Sequence, residues 1–581
     1  MASFLDKLKI KTATDEHVKL DLSSQHISTA NFMQYNVAWA KELVPKEKVN
    51  VFMETFTRLE PLPVPTYGRG NINNRAFFVP FRTIFPAWND FITDTRHDFN
   101  VAGSTSGVSK LVTKVPTVTN YVLLSFLIST DNATVVSSTN KYDIVTSDQK
   151  HIRFNARGRQ ILKQLQSLGY NIIYDPTVDT EYSALPILAL AKVYCDWYYP
   201  SAYTQDTVYS TVNGLFTYNS IQTINSSYSF NLSQEHLKAI FNLIANGVNY
   251  DSDYFVSAWD NPVNPNDGGF STDITISSLT TDSNANVKSN EKEPSAQLNG
   301  KLSQYTLNAL RSLTDYMKRH QLVGARAMDR YLARFGVNLP AEKLNRSIYI
   351  GSQKQGLQFG DVMSTADTET SSLGNYAGKG VSYGDGNFSF DTDEYGMMII
   401  ISSIVPTVGY YQGLDRSLKH ISKLDYFTPE FDNLGTQPIM KQELYTPVNA
   451  YTMMGDMSTL STGVFGFTPR YSEYKVGKDR LTGDFRCPAV DTSLDSWHLM
   501  REVNYGSVDN VVHDVDFVRS SDKGQYSRIF YNTDANVSDK FKVIYNFNVT
   551  SHSPMKSMFD TYDFESHGKD VVEDVNGVKM N

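Results

Sequence analysis

The clearest pattern in the chain lies near its end. Across residues 541–550, Phe541, Val543, Tyr545, Phe547 and Val549 fall on one side of a two-residue period. Lys542, Asn546, Asn548 and Thr550 fall on the other, with Ile544 as the one apolar exception. Successive side chains of a strand point to opposite faces, so this segment predicts a strand with one face in a core and the other in water. The unbroken apolar run over 397–401 predicts a strand buried on both faces. Residues 50–59 and 464–476 also read as strands, and Pro61, Pro63 and Pro65 close the first because proline cannot donate to a ladder.

Helical periodicity concentrates in the middle of the chain. Leu237, Ile240, Phe241 and Ile244 recur at the spacing of one helix face, with Ser233 as N-cap and Gly247 just past the end. Ile161, Leu165 and Leu168 make a shorter stripe stopped by Gly169, and Leu190, Val193, Tyr194 and Trp197 make another stopped by Pro200. Leu310, Leu313 and Met317, then Met328, Leu332 and Phe335 ended by Gly336, predict two consecutive helices. Residues 203–229 and 264–299 have the Ser/Thr/Asn-rich composition of long surface loops. Strands at both ends and helices between them do not form the βαβ alternation of a doubly wound sheet. They fit a mainly β sandwich whose connections have swollen into insertions.

Composition narrows the function classes. The chain has 581 residues and a net charge of −9. Aromatics make up 12%, which excludes a disordered chain, and the acidic balance argues against a freestanding high-affinity nucleic-acid binder. Cys195 and Cys487, each without a Cys or His at ligand spacing, predict free thiols in a reducing compartment instead of a disulfide scaffold or zinc ribbon. The first residues lack the apolar core of a secretory signal, so the expectation is a soluble chain in the cytoplasm of the cell that makes it.

No catalytic template is satisfied. The histidines include no His-Glu-x-x-His pair. The run 103–107 has Thr105 where a nucleophile elbow needs its nucleophilic serine. Residues 378–384 miss the dinucleotide glycine spacing by one and read as turns, while 391–396 reads as a turn before a buried strand rather than a calcium loop. Neither a cofactor, a metal nor an enzymatic activity is called for.

Basic residues form three modest groups. Lys7, Lys9 and Lys11 make a short arm, Arg153, Arg157, Arg159 and Lys163 approach a helix, and Arg326, Arg330 and Arg334 recur every four residues. Each is a solvated, ion-paired face in the simplest account. The sharper account is contact with single-stranded nucleic acid, for which Lys7, Lys9, Lys11, Arg153, Arg157 and Arg159 are the candidate residues.

A family resemblance emerges along the chain order. Residues 43–45 (Leu-Val-Pro) precede the segment from Phe56 through Arg58 to Pro65, then Phe77, Phe78, Val79, Pro80 and Arg82 ahead of Trp88 and Phe91. Further on come Tyr194-Cys195-Asp196-Trp197-Tyr198, Asp253-Tyr254-Phe255, Arg346-Ser347-Ile348-Tyr349, Tyr410-Tyr411-Gln412-Gly413-Leu414 and Asp425-Tyr426-Phe427-Thr428-Pro429. Tyr471-Ser472-Glu473-Tyr474-Lys475, Gly483-Asp484-Phe485-Arg486 and Leu494-Asp495-Ser496-Trp497-His498 complete the series. In this order they resemble the major capsid proteins of the microviruses, above all the gokushovirus branch of these small single-stranded DNA bacteriophages. Residues 133–152 and the loops near 200–230 and 270–300 depart from the pattern.

The resemblance implies an eight-stranded antiparallel jelly roll with long helix- and loop-containing insertions. It divides the chain into an N-terminal arm, 1–30, and a single domain, 31–581, whose largest insertion lies within 125–345 and whose variable surface loops lie near 200–230 and 264–300. It further implies a T=1 icosahedral shell of about sixty copies around a circular single-stranded DNA genome, with loops that attach to a host receptor. Its expected partners are an internal scaffolding protein, a pilot protein and a small basic DNA-packaging protein. The competing reading is a carbohydrate-binding or glycan-cleaving jelly roll, with aromatics such as Trp259 stacked on sugars.

Overall fold

A computed structural model of the chain describes residues 18–99, 108–136, 144–145, 151–200, 207–216, 232–260, 345–363, 376–432, 436–446, 463–486, 494–503, 511–519, 525–533 and 538–555, together with 312, 331–332, 335–337, 572–573 and 579–580. Its framework is a curled antiparallel sheet of nine strands. In chain order these are β1 (Val18–Asp21), β2 (Ser24–Ala30), β3 (Asn36–Leu43), β4 (Glu47–Leu59), β5 (Gly70–Pro80), β6 (Ile348–Met363), β7 (Tyr376–Thr392), β8 (Gly396–Pro406) and β9 (Phe541–Ser553).

Eight of the strands divide into two groups of four. In the first, β2, β9, β4 and β7 lie side by side, and β1 extends the edge by pairing with the far end of β9. In the second, β3, β8, β5 and β6 lie side by side. The long strand β6 joins them, pairing with β5 over 348–357 and with β7 over 358–363. The groups face each other across a shared core. Trp39 of β3 meets Phe547 of β9 at 6.1 Å, and Phe78 of β5 meets Phe390 of β7 at 4.7 Å. Asn74 of β5 donates to the Thr55 hydroxyl of β4 at 3.2 Å. Two facing four-stranded sheets, with sequence neighbours distributed between them, form a jelly roll.

The strand expectations hold at their centres. β9 alternates as the sequence predicts, with Phe541, Val543, Tyr545, Phe547 and Val549 buried. Residues 50–59 lie within β4, which alternates in the same way. Every residue of β8 is buried, in agreement with the apolar run over 397–401. Residues 18–30, within the stretch expected as an N-terminal arm, are the β1–β2 pair on the edge of β9. Two readings need correction. The expected strand over 464–476 stops at Pro469, where Tyr471 turns left-handed (φ 64°) into a 3-10 turn, Ser472–Tyr474. The glycines of 378–384 sit inside β7, not in turns, and at Gly384 an added Cβ would lie 2.0 Å from the Gln355 amide oxygen.

The insertion between β5 and β6 supplies the helices. They include α1 (Asn120–Leu127), α2 (Ala156–Ser167), α3 (Leu185–Val193) and α4 (Gln234–Ala245). The Ser233 hydroxyl accepts from the His236 amide to cap α4, and Gly247 (φ 75°) takes the left-handed turn beyond its end. Asn155 caps α2 in the same manner, and Gly169 (φ 95°) follows it. The stripe through Leu190 and Trp197 belongs to α3 and a π turn, Tyr194–Tyr198. It differs from the expected amphipathic helix because α3 is buried all round.

The cause is its position on the second sheet. Phe77 of β5 packs on Trp197 at 5.8 Å and on Tyr198 at 6.0 Å, so the face of β5 turned away from the jelly-roll core is covered by this segment. The return of the chain to β6 is fixed at the same place. Asp196 pairs with Lys192 at 3.2 Å and accepts from the Ser347 amide and hydroxyl, both at 2.8 Å. Arg346 lies 3.8 Å from the Trp197 ring centroid. The predicted helices over 310–335 lie largely outside the described residues; Leu332 and Phe335, which are described, are exposed, and Gly336 is left-handed (φ 66°).

Candidate assembly surface

The connection between β8 and β9 folds against one side of the jelly roll as short turns. A hairpin of Thr436–Met440 with Val464–Pro469 forms its base. Three 3-10 turns, Arg416–Lys419, Lys423–Asp425 and Pro429–Phe431, lie beside it. Each of the first two starts on a side-chain cap: Asp415 accepts from the Ser417 amide at 3.1 Å, and Asp425 accepts from the Ser422 amide at 2.6 Å and the Ile421 amide at 3.0 Å. These bonds satisfy amides that so short a helix leaves unpaired.

Beneath the turns lies a charged network, buried at Glu443 and Glu473 and open to solvent at Arg480. Arg416 donates to Glu443 at 3.0 Å and to the Pro438 carbonyl at 2.6 Å, and its Nε lies 3.7 Å from Glu473. His420 approaches Glu473 at 3.5 Å, and the Tyr254 hydroxyl donates to Glu443 at 3.2 Å. Asp415 receives Lys478 at 2.7 Å and Arg480 at 3.4 Å. The Lys478 hydrogen bond, reinforced by Ser417, holds its carboxyl well below the usual carboxylate range. Paired charges of this kind fix geometry more than they add stability. The backbone is equally tight: an added Cβ on Gly413 would lie 1.7 Å from the Glu443 carbonyl oxygen.

This foundation holds apolar side chains outward. Leu418 is 70% exposed and Ile421 90%, with Tyr426, Phe427 and Tyr474 also exposed. The rings support one another: His420 stacks on Tyr474 at 5.7 Å and meets Tyr426 edge-on at 5.4 Å, while Phe427 meets Tyr471 at 5.3 Å. A cleft of about 440 Å³ opens next to them, lined among others by Tyr410, Tyr411, Leu418, Lys478 and Arg480. Aromatic and aliphatic groups held rigidly at a surface and rimmed by charge have the make-up of a protein–protein contact. The sequence segments 410–414, 425–429 and 471–475, quoted above for their family resemblance, converge here. Their exposure was not readable from the chain, because an aromatic segment looks the same whether it faces the core or a neighbour.

The expected nucleic-acid residues are not brought into one site. Lys7, Lys9, Lys11, Arg326, Arg330 and Arg334 lie outside the described residues. Arg153 is exposed on a short strand, His151–Phe154. Arg157 donates to the Asn242 side chain on α4. Lys163 is part-buried and pairs with Asp539 at 3.1 Å; burial pushes the Asp539 carboxyl up, but Lys163, Thr29 and, least, Arg159 together hold it low. Trp259 is half-buried and exchanges both backbone hydrogen bonds with Phe467, at 2.8 and 2.7 Å. Cys195 is a buried thiol outside any disulfide, and Cys487 lies outside the described residues. Among the described residues no cluster of His, Cys, Asp or Glu is placed to hold a metal ion.

Comparison with known proteins accounts for the arrangement. The profile of the family described as capsid protein (F protein) matches residues 8–140 and 175–560. Capsid protein VP1 of Bdellovibrio phage phiMH2K is 23% identical over 497 residues, covering 81% of this chain and 82% of that protein. Capsid protein VP1 of Chlamydia phage 1 is 32% identical over 202 residues, 34% of each chain, and that of Spiroplasma virus 4 is 23% identical over 180 residues, 30% of this chain and 31% of the relative. The unmatched segment, 141–174, contains Arg153, Arg157 and Arg159 and overlaps the stretch that departs from the family pattern.

Proposed function

The chain belongs to the capsid protein (F protein) family, and from this premise we propose that it is the major capsid protein of a small single-stranded DNA phage. About sixty copies close into a T=1 icosahedral shell around a circular genome. The observation that carries this reading is the family match along most of the chain, laid over a complete eight-strand jelly roll. The rigid aromatic surface around Tyr426, Phe427 and Tyr474 supports it, since shell subunits must bury apolar area against their neighbours. The role is structural and contains no catalytic step. The subunit works as one jelly-roll unit, 31–581, carrying an arm and insertions whose loops near 200–230 and 264–300 contact a host receptor.

Assembly takes place in the host cytoplasm with an internal scaffolding protein, a pilot protein and a small basic DNA-packaging protein, and the product is the virion. The chain's charge of −9 gives those basic partners a purpose, because the genome's phosphates need counter-charge that this subunit lacks. Lys7, Lys9, Lys11, Arg153, Arg157 and Arg159 contribute local contacts to the DNA. The test is co-expression with the other phage proteins followed by negative-stain microscopy. Uniform closed particles are expected; a folded chain that stays monomeric overturns the proposal. In those particles, replacing Lys7, Lys9 and Lys11 together with Glu lowers the packaged DNA without abolishing the shell, and unchanged DNA content removes the arm from the list of contacts.

A further inference from the structure

Where α2 of the insertion meets the jelly roll, an amine, an amide and a carboxylate come together. Lys163 of α2 donates from Nζ to the Gln34 side-chain oxygen at 3.0 Å and to Asp539 at 3.1 Å. The same Gln34 oxygen accepts from the Asn31 backbone amide at 3.1 Å. Asp539, just before β9, also accepts from the Thr29 hydroxyl at 2.5 Å and from the Asn31 side chain at 3.1 Å. The backbone around these groups is held in place. Met33, left-handed at φ 61°, turns the chain between β2 and β3, and the Tyr35 carbonyl accepts from Gln164 of α2 at 2.7 Å. Adjacent residues of α2 therefore grip residues 34 and 35 of the turn. The Lys163 and Asp539 side chains are only 13% and 14% exposed. Lys163 lies in the segment 141–174 that the family profile leaves unmatched, so the cluster depends on this chain's own insertion.

We propose that Lys163 and Gln34 join in an intramolecular isopeptide bond. The Lys163 ammonium passes a proton to Asp539, and the free amine attacks Gln34 Cδ. The Asn31 backbone N–H, already on the Gln34 oxygen, stabilises the oxyanion that forms there. Asp539 returns its proton to the departing nitrogen, the Cδ–Nε2 bond breaks, and the surplus proton of the new amide nitrogen leaves with the ammonia as ammonium. Nothing is oxidised or reduced, and the lysine loses its charge. Burial lowers the Lys163 pKa against the pull of Asp539, and Arg159 works in the same direction as burial, which makes the neutral amine accessible. The side-chain amide of Asn31 is the poorer acceptor, because it faces Asp539 and the Lys540 backbone N–H, whereas Gln34 faces the amine itself. The ion pair is the state in which the chain folds, and the amide is its slow product. The bond fastens the insertion to the corner between β2 and β3 across 129 residues of sequence, so unfolding no longer frees one from the other.

Intact-mass spectrometry of the full chain, freshly purified and after storage at neutral pH, tests the bond directly. A loss of about 17 Da, one ammonia, is expected to grow with time. Peptide mapping is expected to find a branched peptide that joins Lys163 to Gln34, with no tryptic cleavage after Lys163. Lys163→Arg keeps the positive charge and Gln34→Glu keeps a hydrogen-bond acceptor, but neither pair can release ammonia, so both variants are expected to hold their full mass. In denaturing electrophoresis the stored wild-type chain, closed into a loop, is expected to run ahead of both. A wild-type chain that keeps its full mass on storage overturns the inference. So does a loss of ammonia that maps to Asn31, or one that persists undiminished in Lys163→Arg. None of these results bears on the shell reading, because the bond lies within one subunit.

Discussion

The two sheets of the jelly roll are built from strands of similar length, yet they solve different problems. In the first, β9 and β4 alternate buried and solvent-facing residues, because one face meets the core and the other meets water. In the second, β8 is buried at all eleven positions, because the jelly-roll core lies on one side and the α3 segment on the other. The insertion between β5 and β6 therefore does more than decorate the fold. It turns one half of a two-layer sandwich into the middle of three layers, while among the described residues no helix of the insertion covers the other half. The covered sheet holds the subunit together, and the uncovered one is available for binding.

Charge substitutions at equivalent depth along the two sheets break the comparison most sharply. Ile400→Asp, in the fully buried β8, is expected to cost more than about 4 kcal/mol and to leave no folded chain, while Ile544→Asp, on the open face of β9, costs less than about 1 kcal/mol. Chemical denaturation with far-UV circular dichroism distinguishes them, and equal losses would mean that the first sheet is covered as well. A smaller effect is expected at the edge of the first sheet, where Asp539 joins Thr29 at 2.5 Å, Asn31 at 3.1 Å and Lys163 of α2 at 3.1 Å. Asp539→Asn leaves the Lys163 ammonium buried without its counter-charge and is expected to destabilise by about 3 kcal/mol. The midpoint of denaturation reads it, and Asp539→Asn combined with Lys163→Met is expected to recover most of the loss.

The smallest effect falls on the seam, where the chain crosses from β4 to β5 and Tyr67 pairs with the segment at His498. Burial, and then the nearby Arg528, lower the His498 pKa in the folded state. The unfolded chain therefore binds the extra proton first, and stability rises with pH through the histidine range and falls as pH drops below about 6.5. A thermal melt at pH 5.5 is expected to run below one at pH 7.5, with the difference narrowed by about a degree or less in His498→Gln; an unchanged difference removes His498 as a source of it.

What could be read in advance follows the range of the interactions involved. The period of β9, the cap at Ser233 and the stops at Gly169 and Gly247 depend on neighbours a few residues away, and the linear chain states them, as it states the unbroken apolar run of β8 though not what covers it. The strand expected over 464–476 ends early at Pro469 and the left-handed Tyr471, and Gly384 and Gly386 of β7 answer to close packing against Gln353 and Gln355, not to a turn. The same holds for the aromatic surface: Tyr426 and Phe427 are distinctive in sequence, but their outward placement depends on Arg416, Glu443 and Glu473 converging from three segments.

By itself, then, the sequence determined the strand-rich ends, the helical middle and the family order of its motifs, because periodicity and capping act over one or two turns of chain. Tertiary structure alone decided which sheet the insertion covers and which face stays open. It also decided that Ile544, an isolated departure along one strand, stands in line with Ile27, Phe56 and Tyr383. That alignment is a matter of register among strands hundreds of residues apart, fixed by backbone hydrogen bonds and a buried core that no local pattern records.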